Sequence, residues 1–153
     1  MSEDQRIFAD YKIEIASDIE RIWHIMTDFE KYSQWNPFIR NVKIIKRINL
    51  PDIMIFDLRW FDGKQGRSKE EMISAKKISS DKYQLRYKFA SVIAKIGLVR
   101  AERIQTIEKS GNKVLYYSIE EYHGLLKLFV PVSRVIRGFE QQAEALKKQS
   151  ENI

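Results

Sequence analysis

The sequence predicts an α+β fold, a largely antiparallel sheet whose helices gather on one face. Three observations lead there. Several segments alternate apolar and polar residues with the period of a half-buried strand. Two turn signals, Asp62-Gly63 and Ser110-Gly111-Asn112, fall between neighbouring strand segments. One long amphipathic stretch closes the chain, so the helical and strand patterns are segregated rather than alternating.

The first strand signal is "IFADYKIEIA", in which Ile7, Ala9, Tyr11, Ile13 and Ile15 alternate with Asp10, Lys12 and Glu14. Ser17 follows as an N-cap, with Glu20 completing a capping box. Ile19, Ile22, Trp23 and Met26 then recur at helical spacing, which predicts a helix over 18–27. Asp28 is placed to cap a second, shorter helix that includes Phe29 and Tyr32 and ends near Trp35, ahead of Pro37. "NVKIIKRI" and "DIMIFDLRWF" read as strands, and "SKEEMISAKKI" as the strand returning from Asp62-Gly63. "KYQLRYKFA" puts Tyr83, Leu85, Tyr87 and Phe89 on one face, and "VRAERIQTIE" and "VLYYSIEEY" form the last hairpin. In the closing helix Val132, Val135, Ile136, Phe139, Ala143 and Leu146 make an apolar stripe, with Pro131 in its first turn. Gly138 lies inside this helix at a cost of ~1 kcal/mol against alanine, so a close neighbour is expected there.

A length of 153 residues, 44% hydrophobic and 31% charged, fits one globular domain spanning 1–153. No apolar run approaches the ~20 residues of a membrane span, so no integral membrane association is expected. The start, "MSEDQRIFADYKIEI", has early acids and no apolar core of a signal peptide. With no cysteine there is no disulfide framework and no thiolate chemistry, and a cytoplasmic location follows as the default. The net charge of +6 permits contact with nucleic acid or anionic lipid. The basic residues are nonetheless scattered among acids, no nucleic-acid-binding signature is present, and no specific nucleic-acid partner is expected.

"DFEKYSQWNPFIRNV" collects Phe29, Tyr32, Trp35, Phe38 and Ile39 where Asn36-Pro37 forces the backbone to turn. Such a cluster either plugs one end of a core or walls a cavity. The segment from Ala16-Ser17 through Ile22-Trp23 and Thr27-Asp28-Phe29 to Trp35-Asn36-Pro37-Phe38 resembles the corresponding part of START-like, or SRPBCC, domains. That superfamily includes polyketide cyclase/dehydrase-type proteins and the birch-pollen-allergen (Bet v-like) fold. "EEYHGLL", Glu120 to Leu126, and "GFEQQAEALKKQSE", Gly138 to Glu151, resemble the last strand and terminal helix of one bacterial branch. The resemblance implies a helix-grip fold: a seven-stranded curved antiparallel sheet around a long C-terminal helix, with two short helices after the first strand and a cavity between sheet and helix. The superfamily hosts carriers, cyclases, hydrolases and sensors, so the fold alone does not fix a function.

On that fold the aromatic residues become either cavity wall or solid core. Trp35 and Phe38 are placed at the mouth, Phe56, Trp60, Tyr87 and Phe89 on the sheet, and Val135 and Phe139 on the helix. "SVIAKIGL", Ser91 to Leu98, could overhang the entrance. A two-residue turn at Gly111-Asn112 would pair Arg103 with Glu120. The family-like facing turns Tyr116, Ser118, Glu120 and Tyr122 into the cavity, whereas hydrophobic alternation favours Ile104, Leu115, Tyr117 and Ile119 as the core face. Both facings stay open from the residues alone.

His24 and His123 lack metal-ligand spacing, and no nucleophile elbow or phosphate loop occurs, so no metal, cofactor or catalytic residue is assigned. Ala143 stands where related helices often carry asparagine, and the Trp-Gly and Gly-His elements of that branch are missing around Tyr87-Lys88 and Ala101 to Arg103. These departures favour binding over catalysis. The function expected is therefore binding of a hydrophobic or amphipathic, lipid- or polyketide-like small molecule in an internal cavity. A cyclase/dehydrase- or hydrolase-type enzyme using the Glu120 carboxyl with Tyr122 is the alternative, and a protein-partner module the third.

Overall fold

Seven strands in the order β1-β7-β6-β5-β4-β3-β2, every neighbouring pair antiparallel, form one curved open sheet. The computed structural model describes residues 5–152; the first residues of the start read against a signal peptide lie outside them. The strands are β1 (Ile7–Ile15), β2 (Ile39–Ile45), β3 (Ile53–Arg59), β4 (Gln65–Ser79), β5 (Lys82–Phe89), β6 (Arg100–Ser110) and β7 (Lys113–His123). Strands β1 and β2 are joined through two helices yet lie at opposite edges. The connecting helices, α1 (Ile19–Thr27) and α2 (Tyr32–Trp35), therefore span the open side of the sheet. A short helix α3 (Val92–Lys95) interrupts the β5–β6 connection, and α4 (Val132–Glu151) lies in the hollow, packed chiefly against β1. This is the helix-grip arrangement.

The strand alternation survives folding. Ala9 and Ile15 of β1 and Tyr83, Leu85 and Tyr87 of β5 are buried, while Lys12 and Lys88 point outward. Capping differs from expectation. The N-cap of α1 is Asp18, whose carboxylate accepts from Arg21 N at 3.4 Å. Ser17 is drawn away because its hydroxyl donates to Ser150 O at 3.0 Å, and Glu20 binds the Tyr83 hydroxyl and Lys77 instead of closing a capping box. Arg21 donates to the carbonyls of Gln149, Ser150 and Asn152, satisfying groups that the end of α4 leaves unpaired. The Asp28 side chain makes no capping hydrogen bond; it pairs with Lys31 at 3.4 Å, while its backbone N–H closes the end of α1 by donating to His24 O at 3.0 Å.

The Asn36-Pro37 turn is held from inside. Asn36 is fully buried, and its side-chain oxygen accepts from Phe38 N at 2.9 Å and Ile39 N at 3.0 Å, bridging the proline that cannot donate. Phe38 is thereby driven against α4. A Cβ on Gly138 would stand 2.4 Å from a Phe38 ring carbon, so the glycine predicted to have a close neighbour has one. Toward its C-terminus α4 buries Ala143 and Leu146 in the same cluster as Ile15, Ile22, Met26, Ile107 and Tyr116, and the interior there is solid. Toward its N-terminus the helix does not fill the hollow.

Candidate functional site

Between the N-terminal half of α4 and the sheet lies a cavity of about 370 Å³. Phe38 and Ile39 close one side, and Phe56, Leu58 and Trp60 come from β3 and the residue after it. Tyr87 and Phe89 come from β5, and Val135 and Phe139 from α4. Ile93, Val99, Leu126, Phe129, Val130 and Pro131 also line the cavity, Ile93 bringing the "SVIAKIGL" segment against it. The rings stack edge to face around the space: Phe38 with Trp60 at 5.4 Å, Phe38 with Phe139 at 6.3 Å, Phe56 with Tyr87 at 6.3 Å.

The polar groups converge in one place. The β6–β7 register pairs Ser110 with Lys113, and hence Arg103 with Glu120, Gln105 with Ser118 and Ile107 with Tyr116. Opposed residues share a face, and this face is the concave one. Arg103 is 2% exposed and donates to Ser118 Oγ at 3.0 Å, Tyr87 Oη at 2.9 Å and Gln142 Oε1 at 2.9 Å. Its guanidinium also covers the Phe139 ring at 4.1 Å. Gln105 extends the network, donating to Tyr87 Oη at 3.3 Å and accepting from Tyr116 Oη at 2.7 Å and Gln142 Nε2 at 3.3 Å. Burial opposes the Arg103 charge, but the oxygens of Tyr87, Tyr116 and Glu120 outweigh it and hold its pKa above the ordinary value.

Two carboxyl groups line the same cavity. Glu70, on β4 and 6% exposed, accepts from Ser68 Oγ at 2.6 Å. Burial first, and the charge of Glu120 second, push its pKa up to about 8, against partial relief from Ser68 and Arg103. Glu120 is half-buried and lines the cavity; burial raises its pKa, with the Tyr122 hydroxyl and Arg103 acting the other way. The Tyr122 hydroxyl is buried beside Glu120 without a well-formed hydrogen bond. Both carboxyls are thus biased toward their protonated, donor-capable form, and one hydroxyl nearby is unsatisfied.

Of the residues singled out by sequence, Phe38, Phe56, Trp60, Tyr87, Phe89, Glu120, Tyr122, Val135 and Phe139 meet around this space, and Trp35 does not. The extended backbone of Asn36 (φ −87°, ψ 114°) ends α2 at Trp35, so Phe38 lies beyond the helix that carries Trp35. Trp35 is left edge-on to Tyr32 at 5.2 Å, facing a surface groove beside Arg21, His24 and Gln149. The outward face of β6–β7 corrects the alternation argument. Ile104, Leu115, Tyr117 and Ile119 are half-buried on the convex side, sheltered by in-plane neighbours such as the Arg86–Glu102 pair and Tyr117 with Asp10 at 3.4 Å.

Glu70 was missed, and Glu120 is not the sole interior carboxyl. The turn signal alone would not have found it: a two-residue turn at Asp62-Gly63 pairs Glu70 with Ile55, whereas the hairpin closes through three residues, with Trp60 N donating to Lys64 O at 2.9 Å, which pairs Ser68 with Phe56 and Glu70 with Met54 on the inward face. Gln105 and Gln142 carried no comparable signal. Among the described residues no three His, Asp or Glu side chains converge in metal-ligand geometry.

Residues 15–107 match the family described as polyketide cyclase / dehydrase and lipid transport. In structure the chain is similar to a START superfamily protein from Mycobacterium smegmatis, with 22% identity and a TM-score of 0.69 over 96% of this chain and 98% of that one. It is similar to ginseng major latex-like protein 151 from Panax ginseng, with 10% identity and a TM-score of 0.76 over 95% and 98%. The di-domain ARO/CYC BexL from the BE-7585A biosynthetic pathway gives 8% identity and a TM-score of 0.76 over 99% of this chain, which spans 52% of that protein. At such identities the likeness is one of fold. No curated protein matches the chain by sequence.

Proposed function

We propose that this chain, which belongs to the polyketide cyclase / dehydrase and lipid transport family, binds an apolar or amphipathic small molecule in the cavity under α4. The observation that carries the reading is the cavity itself: about 370 Å³ of space with walls of aromatic and aliphatic side chains and polar groups confined to one cluster. That is the composition of small-molecule sites, in which apolar contact supplies affinity and a few polar groups fix orientation. Phe38, Phe56, Trp60, Phe89, Val135 and Phe139 would contact the ligand skeleton, each 100 Å² of apolar surface removed from water contributing ~2.5 kcal/mol. Glu120, Tyr122 and Tyr87 would meet its polar end. Trp35 has no part in this assignment.

The test is displacement of a polarity-sensitive fluorophore, with native mass spectrometry on freshly purified protein to identify a retained molecule. Ala101 lines the cavity with a small side chain, so Ala101→Phe should fill the space, keep the fold and abolish probe binding. Undiminished binding by a folded Ala101→Phe protein would place the probe elsewhere and remove the cavity from the argument.

One observation favours a second reading. Two carboxyl groups with raised pKa and an unsatisfied tyrosine hydroxyl face the same apolar space, an arrangement suited to proton transfer to or from a bound carbonyl compound. Glu120→Gln should then abolish turnover of an identified substrate while leaving its binding intact. Retained turnover would exclude Glu120 from any chemistry.

A further inference from the structure

Two segments at the cavity rim leave their largest side chains in solvent. On α3 and the residue following it, Val92 is 72% exposed and Ile93 and Ile96 are exposed beside it. After β7, Leu125 and Phe129 are 82% and 80% exposed, with Leu126 and Leu128 between them. The segments are fastened together: Leu125 N donates to Gly97 O at 3.4 Å and Leu126 N to Leu98 O at 2.8 Å. Gly124, at φ +105°, allows the approach, since a Cβ there would stand 2.6 Å from Leu98 O. The result is one apolar lip, larger in character than scattered surface hydrophobes. Ile93, Leu126 and Phe129 also line the cavity, so the lip runs continuously into the interior.

Its charge is one-sided. Residues 91–101 and 122–139 contain no Asp or Glu, in a chain with 21 of them, but carry Lys95, Arg100, Lys127, Arg134 and Arg137. Arg134 and Arg137 are engaged by Asp62 and Glu140, whereas Lys95 and Arg100 stand exposed along one hollow beside α3; the two acids of that hollow, Glu71 and Glu102, are paired with Lys88 and Arg86. We propose that this lip docks on the surface of an anionic lipid bilayer. Ile96, Leu125, Leu128 and Phe129 enter the acyl boundary, Lys95 and Arg100 meet headgroup phosphates, and the cavity mouth faces the membrane. A second copy of the chain is the poorer occupant, because it would bring together two rims of a +6 protein on which Lys95 and Arg100 are exposed while the nearby acids are already paired. The proposal goes beyond the cavity reading, and docking can be measured whether or not the cavity holds a ligand.

The experiment is co-sedimentation of the full chain with vesicles of phosphatidylcholine alone and of phosphatidylcholine and phosphatidylglycerol in equal parts. Two variants accompany it: Ile96→Glu with Leu128→Glu, and Lys95→Glu with Arg100→Glu. None of these four side chains lines the cavity, so folding by circular dichroism and probe binding in solution should match the parent. The parent should bind the anionic vesicles and not the neutral ones, and each double variant should bind at least about tenfold more weakly. No binding to anionic vesicles overturns the proposal, as does undiminished binding by Ile96→Glu with Leu128→Glu. So does a parent dimer that this variant splits while vesicle binding is absent. Loss of probe binding in the parent would count against the cavity reading and leave the docking result standing.

Discussion

Glu70→Gln should convert a pH-sensitive stability into a flatter one. Glutamine keeps the shape and an oxygen to accept from Ser68, but it cannot ionise. The unfolded carboxyl titrates near an ordinary 4.5 and the folded one near about 8. Below 4.5 both states hold the proton and the group contributes no penalty. Between the two values only the unfolded state releases its proton, so parent stability falls as pH rises; above about 8 the slope ends. At ~1.4 kcal/mol per pH unit, that interval sets an upper bound of ~5 kcal/mol. Relaxation of the cavity and water entering it reduce this to ~2–5 kcal/mol. Urea denaturation of parent and variant at a series of pH values from about 4.5 to about 9 measures the difference. The variant should gain on the parent steadily as pH rises. A difference that does not change with pH would mean that Glu70 ionises in the folded protein as it does in water, and the desolvation argument would fail.

Gly138→Ala should destabilise by ~1–3 kcal/mol although alanine is the better helix former by ~1 kcal/mol, because its methyl would meet three Phe38 ring carbons at 2.4–2.7 Å. Phe38→Leu in the same chain should recover much of the melting temperature, and no recovery would refute the clash. Arg103→Ala should cost ~3–5 kcal/mol in denaturant unfolding, since it strips Tyr87, Ser118 and Gln142 of their shared donor and leaves two carboxyls without a nearby cation. Trp60→Ala should weaken binding of the fluorescent probe about tenfold, consistent with loss of a large buried contact, and Trp35→Ala should leave it unchanged. The opposite ranking would move the site to the surface groove.

How much was legible follows from the range of the interactions. Alternation in Ile7–Ile15 and Lys82–Phe89, the stripe of the closing helix and the turn residues are local patterns, and the elements they predict are the elements found. Ser17 was misread as a cap because its real partner, Ser150 O, is 133 residues away in sequence. The facing of Arg103 and Glu120 was undecidable from either strand alone, since both faces of β6–β7 carry apolar residues; the register with β1 and the curvature of the sheet settled it.

The amino-acid sequence by itself determined the strands, the helices other than α3, the antiparallel pairing of Arg103 with Glu120 and the need for a small residue at Gly138. Those are set by period, turn chemistry and backbone freedom, which act over a few residues. Tertiary structure alone decided that α4 packs tightly through Ala143 and Leu146 yet stands away from the sheet beyond Phe139, that Glu70 joins Glu120 in the gap, and that Trp35 is excluded from it. A void is a property of surfaces that fail to meet, and no single strand or helix carries the information about where its partner stops.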